Sequence, residues 1–262
     1  MNRLHFYKYD GAGNDFVLLD IRENPVTLSQ NQIERLCHRR IGIGADGLMT
    51  LGCGSNGADF TMTYYNSDGA EGTMCGNGGR CITAFAYHLG IGQGSRHFVF
   101  DACDGRHEAD LLMWDHSTAT GLVSLAMRDV ASRDIVRTLD GWFLDTGSPH
   151  YVQRVDDLQN FDVVGEGRRL RHDDAFDNGA NIDFIEDLPD GTLAVRTYER
   201  GVEDETWACG TGVTACALVT GNKRIKARGG DFKVDFEATG DIFTHIVLTG
   251  PVAMNFDGYV TI

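Results

Sequence analysis

Apolar and polar residues alternate in two stretches, DFTMTYYN (59–66) and TLAVRTYE (192–199), with the period of two of a half-buried strand. FVLLD (16–20), FVFDA (98–102), HEADLLMW (107–114) and GLVSLAM (121–127) add strands before residue 130. YVQRV (151–155), FKVDFEA (232–238) and IFTHIVL (242–248) add strands after it. Between them the period lengthens. Ser29 predicts an N-cap with Gln32 three residues on, and Ile33, Leu36, Cys37 and Arg40 follow at helical spacing. Ile82, Phe85, Ala86 and Leu89 fall at i, i+3, i+4 and i+7 of a second helix, and Val213, Cys216, Ala217 and, less regularly, Val219 mark another. Val163 to Asp173 carries a weaker helical pattern, interrupted by Gly165 and Gly167.

The order of these elements occurs twice. Cys75-Gly76-Asn77-Gly78 and Cys209-Gly210-Thr211-Gly212 are offset by 209 − 75 = 134 residues. The same offset carries Gly13-Asn14-Asp15-Phe16-Val17 onto Gly147-Ser148-Pro149-His150-Tyr151, Ile43-Gly44-Ala45-Asp46-Gly47 onto Asp177-Asn178-Gly179-Ala180-Asn181, and Tyr64-Tyr65-Asn66 onto Tyr198-Glu199-Arg200. Landmarks sharing one spacing in one order predict two similar halves. Each half is expected to be α+β, a curved antiparallel sheet against a helix. The seam is expected near Trp114 to Thr120, giving halves at 1–116 and 117–252, with 253–262 returning to the first.

Composition narrows the function. With 33 glycines and 4 prolines, tight turns and short strands are expected. The formal charge of −15 disfavours a nucleic-acid partner. The seven cysteines are odd in number and include no C-x-x-C pair, which argues against a disulfide scaffold and against paired zinc ligands. The opening MNRLHFYKYDGAGNDF has no apolar run of signal-peptide length, and no run of membrane-span length occurs. A reducing cytoplasm is the expected setting.

A cysteine just before Gly-x-Gly at a helix start has a physical use. The first N–H groups of a helix lack internal partners and carry partial positive charge, so they favour an anion. A substrate carboxylate can sit there, and a thiolate is stabilised there. Two such loops around one α-carbon would let one thiolate remove the proton while the other thiol donates one from the opposite face. No dinucleotide fingerprint and no lysine context of a Schiff base accompanies them, so no cofactor or metal is expected. Cys37, Cys53, Cys81, Cys103 and Cys216 are read as small buried hydrophobes. By pattern alone His150 is a structural turn residue, Glu199-Arg200 a surface pair, and Asn14 and Asn66 ordinary turn residues. A thiol-regulated binding protein and a cysteine hydrolase using His150 remain open from the residues, although duplication of the loop has no use in the hydrolase.

The strings Gly11-Ala12-Gly13-Asn14-Asp15-Phe16, Gly42-Ile43-Gly44-Ala45-Asp46-Gly47, Asn66-x-Asp68-Gly69, Met74-Cys75-Gly76-Asn77-Gly78-Gly79-Arg80-Cys81, Gly147-Ser148-Pro149-His150, Asn178-Gly179-Ala180-Asn181, Tyr198-Glu199-Arg200-Gly201 and Ala208-Cys209-Gly210-Thr211-Gly212 together resemble the diaminopimelate epimerase family, in the right order from about Leu4 to Thr220. The resemblance implies two similar α+β domains with the site in the cleft, and an isomerase that interconverts LL- and meso-diaminopimelate for lysine and peptidoglycan precursors. It implies no pyridoxal phosphate or metal, and a homodimer. It implies Cys75 and Cys209 as the acid/base pair, with His150 and Glu199 in support. It implies Asn14, Asn66, Asn181, Glu199 and Arg200 as substrate contacts, and Gly76-Asn77 and Gly210-Thr211 as the loops that hold the reacting carboxylate.

Two positions depart from the family pattern. Ser148 stands where asparagine is common, and Gly47 where some members have glutamine; both are expected to touch recognition of the remote end of the substrate. A proline or hydroxyproline epimerase is the rival within the same architecture, but it needs no clamp such as Glu199-Arg200 for a distal amino-acid head. A related isomerase branch lacks the paired cysteines.

Overall fold

The structure, a computed structural model, describes residues 3–72 and 75–262, so Met74 of the first cysteine string lies outside the described residues. The chain forms two compact units, Met1–Leu125 with Pro251–Ile262, and Ala126–Gly250.

In the first unit β1 (Arg3–Gly11) and β2 (Asn14–Asp20) form a hairpin. Its loop is Ala12-Gly13, both at positive φ (60° and 86°), the backbone a two-residue turn demands of a twisted hairpin. After α1 (Gln30–Cys37) come β3 (Gly47–Cys53), β4 (Phe60–Asn66) and the short β5 (Glu71–Gly72). Then α2 (Gly76–His88) leads to β6 (His97–Ala102), β7 (Gly105–Asp115) and β8 (Thr120–Ala126). The second unit runs β9 (Val130–Ala131), β10 (Val136–Thr138), β11 (Gly141–Asp145), β12 (Pro149–Arg154), α3 (Val163–Arg171), β13 (Asn181–Asp187), β14 (Leu193–Glu199), β15 (Asp204–Thr206), α4 (Gly210–Thr220), β16 (Arg224–Ala227) and β17 (Gly230–Thr239). β18 (Ile242–Thr261) pairs with β17 through Thr249 and, from Ala253 onward, with β1.

Strand pairing repeats between the units. β2 pairs parallel with β3 and β12 with β13; β4 pairs parallel with β6 and β14 with β16; β1–β2, β3–β4 and β13–β14 are antiparallel. The parallel pairs arise where a helix-containing crossover carries the chain between strands. The register repeats too: Phe16 faces Gly47, and His150 faces Asn181, both 134 residues on. The first unit runs to Leu125 rather than ending at the Trp114–Thr120 turn, because β8 pairs back onto β7.

Ser29 caps α1 with a complete capping box, its side chain accepting from Gln32 N–H while the Gln32 side chain accepts from Ser29 N–H. Ile33 and Leu36 then pack with Phe6, Val17 and Leu48. α3 takes its cap from Asp162, which accepts from Gly165 N–H at 2.9 Å. Gly167 weakens the helix yet lets it sit on Tyr198, since a Cβ there would lie 2.4 Å from the Tyr198 Cβ.

The helices that follow the two cysteines differ from the one-sided stripe read in the sequence. Every residue from Gly76 to Ala86 is buried in α2, as are Gly210 and Gly212 to Leu218 in α4. Glycine, alanine and threonine between the larger apolar residues make these helices thin enough to be enclosed on all sides. Burying Phe85 and Ile82 contributes about 2 kcal/mol each. Two cysteines correct their expected burial: Cys53 and Cys103 are exposed, whereas Cys37, Cys81 and Cys216 are buried. Among the described residues no helix is long and apolar enough to cross a membrane.

Candidate active site

Each unit carries one of the two cysteine loops. Cys75 is the N-cap of α2 (φ −99°, ψ 134°) and Cys209 the N-cap of α4 (φ −113°, ψ 115°). The first helical bonds run from Gly79 N–H to Cys75 C=O at 2.7 Å and from Val213 N–H to Cys209 C=O at 2.8 Å. Helix geometry therefore leaves the N–H groups of Gly76, Asn77 and Gly78, and of Gly210, Thr211 and Gly212, directed out of the N-terminus. Each unit thus presents a thiol beside an anion-binding turn.

In the first unit the half-buried Cys75 thiol donates to Asn14 Oδ1 at 3.8 Å, and Asn77 Nδ2 donates to the same oxygen at 3.2 Å. Asn14 is held from behind: its Nδ2 donates to Asp46 Oδ2 at 2.8 Å. Arg39 ties Asp46 to Asp15, donating at 2.7 Å to each, and the buried Lys8 ammonium donates to Asp15 and to the Gly44 carbonyl. On the other side the fully buried Arg80 donates to Gly76 C=O at 3.1 Å and to Asn77 Oδ1 at 2.9 Å. That contact fixes which end of the Asn77 amide faces Asn14. Asn66 ends β4, exposed, with its N–H bonded to Ala70 C=O. At Gly47 a Cβ would stand 2.6 Å from the Tyr64 ring and 2.7 Å from Tyr65 O, so this close approach of strands leaves no room for a longer side chain.

In the second unit Cys209 Sγ lies 3.3 Å from Thr211 Oγ1, and Thr211 Oγ1 lies 2.8 Å from His150 Nε2. His150 is not an exposed turn residue; it sits on β12 with no solvent exposure, and its Nδ1 donates to Asp183 Oδ2 at 2.7 Å. Asp183, also fully buried, accepts from Thr197 Oγ1 at 2.6 Å through its other oxygen. Asn181 is a clamp. Its Nδ2 donates to Ser148 Oγ at 2.8 Å and Pro149 O at 2.9 Å, and its Oδ1 accepts from Arg200 N–H at 2.9 Å. Ser148 therefore serves the clamp from the position where asparagine was the expected residue. Glu199 ends β14, half-buried, next to Arg200.

The acidity of Cys209 corrects the sequence-based expectation. A helix start lowers a thiol pKa, and here the Gly212 N–H and the Thr211 hydroxyl do pull downward. Burial, however, pushes the thiol well above its usual range, and the carboxylates of Glu199 and Asp183 push the same way. Burial and the two carboxylates therefore favour the protonated thiol over the thiolate at Cys209. Among the described residues no cluster of three or more His, Cys, Asp or Glu is placed to hold a metal.

These features match known proteins. The sequence profile described as Diaminopimelate epimerase matches residues 6–124 and 142–255. The diaminopimelate epimerase of Flavobacterium psychrophilum is 43% identical over 97% of this chain and 99% of its own length, and that of Chlorobaculum tepidum 40% identical over 96% and 99%. The chain belongs to the diaminopimelate epimerase family. Among solved structures, a Bacillus anthracis phenazine biosynthesis protein of the PhzF family aligns with a TM-score of 0.71 at 14% identity over the whole of both chains. A hydroxyproline epimerase from Agrobacterium vitis aligns with a TM-score of 0.68 at 15% identity, over 98% of this chain and 92% of that one. At such identities these two establish the shared fold alone.

Within this diaminopimelate epimerase family member, Asn14 and Asn77 gather at Cys75, while Thr211, His150 and Asn181 gather at Cys209. Sequence reasoning missed Asp46, Arg80, Asp183 and Thr197. Asp183 carried a signal, standing two residues after Asn181 and so on the same face of β13. Arg80 stands four residues after Gly76, where a long side chain on α2 reaches back over the first turn.

Proposed function

We propose that this protein is a cofactor-independent isomerase that interconverts LL- and meso-diaminopimelate, with Cys75 and Cys209 as acid and base on opposite faces of one α-carbon. The observation that carries the reading is the duplication of one arrangement, a cysteine N-cap followed by a glycine-rich first turn, once in each unit. A single-nucleophile enzyme has no use for the second copy. The α-proton of an amino acid is weakly acidic, so its removal has to be offset by stabilising the carbanion as charge spreads into the adjacent carboxylate. First-turn N–H groups meet that charge where it develops. The thiol on the other face completes the exchange by donating a proton, and inversion follows.

Selectivity for diaminopimelate rests on its second amino-acid head. We assign Arg200 to the distal carboxylate, which a guanidinium can hold bidentately. Asn14, Asn66 and Asn181 suit a zwitterion because an amide both donates and accepts. His150 and Glu199 are assigned supporting roles toward the thiols and the substrate amine. In the cell the activity belongs to the supply of lysine and of peptidoglycan precursors, in the cytoplasm, by a homodimer.

Purified, reduced protein incubated with LL-diaminopimelate in D₂O without added cofactor tests this directly. Deuterium at one α-carbon, with LL and meso forms interconverting on chiral chromatography, is the expected result. Absence of exchange in a folded, reduced sample sinks the assignment of substrate; exchange on proline or hydroxyproline instead would move the protein to the rival reaction. Light scattering of the same sample reads the dimer.

A further inference from the structure

The two cysteine loops are copies in backbone but not in charge. Arg80 is fully buried on α2, and its side chain reaches back over the first turn: Nη1 donates to Gly76 C=O at 3.1 Å and Nη2 to Asn77 Oδ1 at 2.9 Å. Thr214 stands 134 residues later, at the same point of α4, and its hydroxyl donates to Gly210 C=O at 3.0 Å. One acceptor position is thus served by a guanidinium in the first unit and by a neutral hydroxyl in the second. The carboxylates run the other way. Asp183 and Glu199, which push the Cys209 thiol up, correspond at the same offset to Met49 and Tyr65. The surroundings of the loops agree: a Cβ on Gly212 would meet Asp183 Oδ1 at 2.5 Å, and one on Gly78 would meet Met49 Sδ at 3.0 Å.

We propose that Arg80 is a positioning residue for Cys75: the buried guanidinium behind the first turn of α2 favours the Cys75 thiolate, so that before substrate arrives Cys75 is the base of the pair and Cys209 the acid. The inference rests on the reading of these two cysteines as the acid/base pair. In reaching that state the Cys75 S–H proton goes to solvent, the sulfur keeps the electron pair, and Cys209 keeps its proton.

The placement of the guanidinium argues for an anion beside it. A helix N-terminus carries partial positive charge, so a cation is ordinarily favoured at the other end. Arg80 is enclosed at the unfavourable end, and Gly76 C=O and Asn77 Oδ1 are neutral oxygens that solvate its charge without cancelling it. Burial pulls the Arg80 pKa down, whereas Cys81 and Cys75 pull it back up. The titratable groups facing this corner are Cys81 on α2, Asp10 on β1 and Asp15 on β2, with Asp46 behind Asn14. Burial pushes the Cys81 thiol well up, so it keeps its proton. Asp15 is held by Lys8 and Arg39, Asp46 by Arg39, and Asp10 accepts from Gly13 N–H. Cys75, the residue before Gly76, is the group here whose ionisation Arg80 can stabilise. Asn14 permits it. The Asn14 Oδ1 that accepts from the thiol at 3.8 Å also accepts from Asn77 Nδ2 at 3.2 Å, so the oxygen stays bonded when the sulfur loses its proton. Arg80 secures that bond too, because a guanidinium only donates and so holds Asn77 by its oxygen.

Iodoacetamide alkylation of the reduced protein, resolved peptide by peptide across roughly pH 6 to 10, gives for Cys75 and for Cys209 the pH at which each rate is half-maximal, a quantity that does not depend on how exposed the sulfur is. In the parent the Cys75 midpoint is expected to lie about one pH unit or more below that of Cys209. Arg80→Met removes the charge at similar length. It is expected to raise the Cys75 midpoint by about one unit, a tenfold loss of thiolate at neutral pH, and to leave the Cys209 midpoint in place. Arg80→Lys keeps a charge and is expected to restore most of that shift. Coincident midpoints in the parent overturn the proposal, and that measurement stands even if R80M fails to fold. An unmoved Cys75 midpoint in R80M overturns it as well, as does an equal rise at both cysteines. If R80K behaves as R80M, the shift belongs to lost packing and the argument from charge falls. Deuterium exchange into diaminopimelate by C75A keeps the two levels apart. Exchange that survives C75A overturns the acid/base assignment itself; exchange lost in C75A with the Cys75 midpoint unmoved in R80M overturns only the role of Arg80.

Discussion

The imidazole of His150 and the carboxylate of Asp183 meet at 2.7 Å with neither exposed to solvent, and the helix that carries Thr211 passes against them at a glycine. A Cβ on Gly212 would stand 2.5 Å from Asp183 Oδ1 and 3.1 Å from His150 Cε1. Gly212→Ala is expected to destabilise the protein by about 1–3 kcal/mol, the usual range for overpacking, and to lower kcat as the pair is displaced. Urea denaturation and steady-state kinetics check both. A variant as stable and active as the parent would show that the helix can shift without disturbing the pair.

Cys75→Ala and Cys209→Ala should each reduce net epimerisation by about 10³-fold or more, because each leaves one face without its acid or base. Chiral chromatography of the product mixture is the measurement. Near-parent turnover in either variant would refute the two-base assignment.

Asn181 joins the Ser148-Pro149 turn to the Arg200 backbone through one amide. Asn181→Ala leaves buried donors and acceptors unpaired and should cost about 1–3 kcal/mol. Because the Arg200 loop loosens with it, KM is expected to rise by roughly tenfold while kcat falls less. Thermal unfolding together with a full kinetic curve would show a stability loss without a KM change if Arg200 does not hold the substrate.

Burial alone would raise the carboxyl of Asp15, but hydrogen bonds from Arg39 and Lys8, and the charges behind them, hold it at about 2. A depressed folded-state pKa gives stability that is present above the unfolded value, about 4, and is lost as pH falls toward 2. Allowing for solvent screening at Arg39, the contribution is about 1–2 kcal/mol. Asp15→Asn should lower the urea midpoint at neutral pH and flatten its fall between about pH 4 and 2. A parallel acid limb in parent and variant would assign the acid sensitivity elsewhere.

The two cysteines were legible because everything that gives them meaning is local: the thiol, the glycines and the helix start lie within one short string. The repeat was legible for a related reason, since register and spacing survive in sequence after identity fades, as Phe16–Gly47 and His150–Asn181 show. Asp183 and Arg80 were not. Asp183 gains its role from a partner 33 residues away across a parallel strand pair, and Arg80 from being enclosed behind its own helix start. The upward push on the Cys209 pKa was hidden likewise, because it comes first from burial of the sulfur and then from Glu199 and Asp183, which the fold brings to it.

One strand, β18, closes the first unit only after the whole of the second has been threaded: Asp10 pairs with Ala253 and Arg3 with Thr261. Ala126–Gly250 is continuous, so as the chain leaves the ribosome it can fold when its own last strand emerges. Until then β1 has β2 on one side and an open edge on the other, the kind of edge that recruits foreign strands. Synthesis thus finishes the first half of this protein last, and the interval is set by the time needed to translate the second.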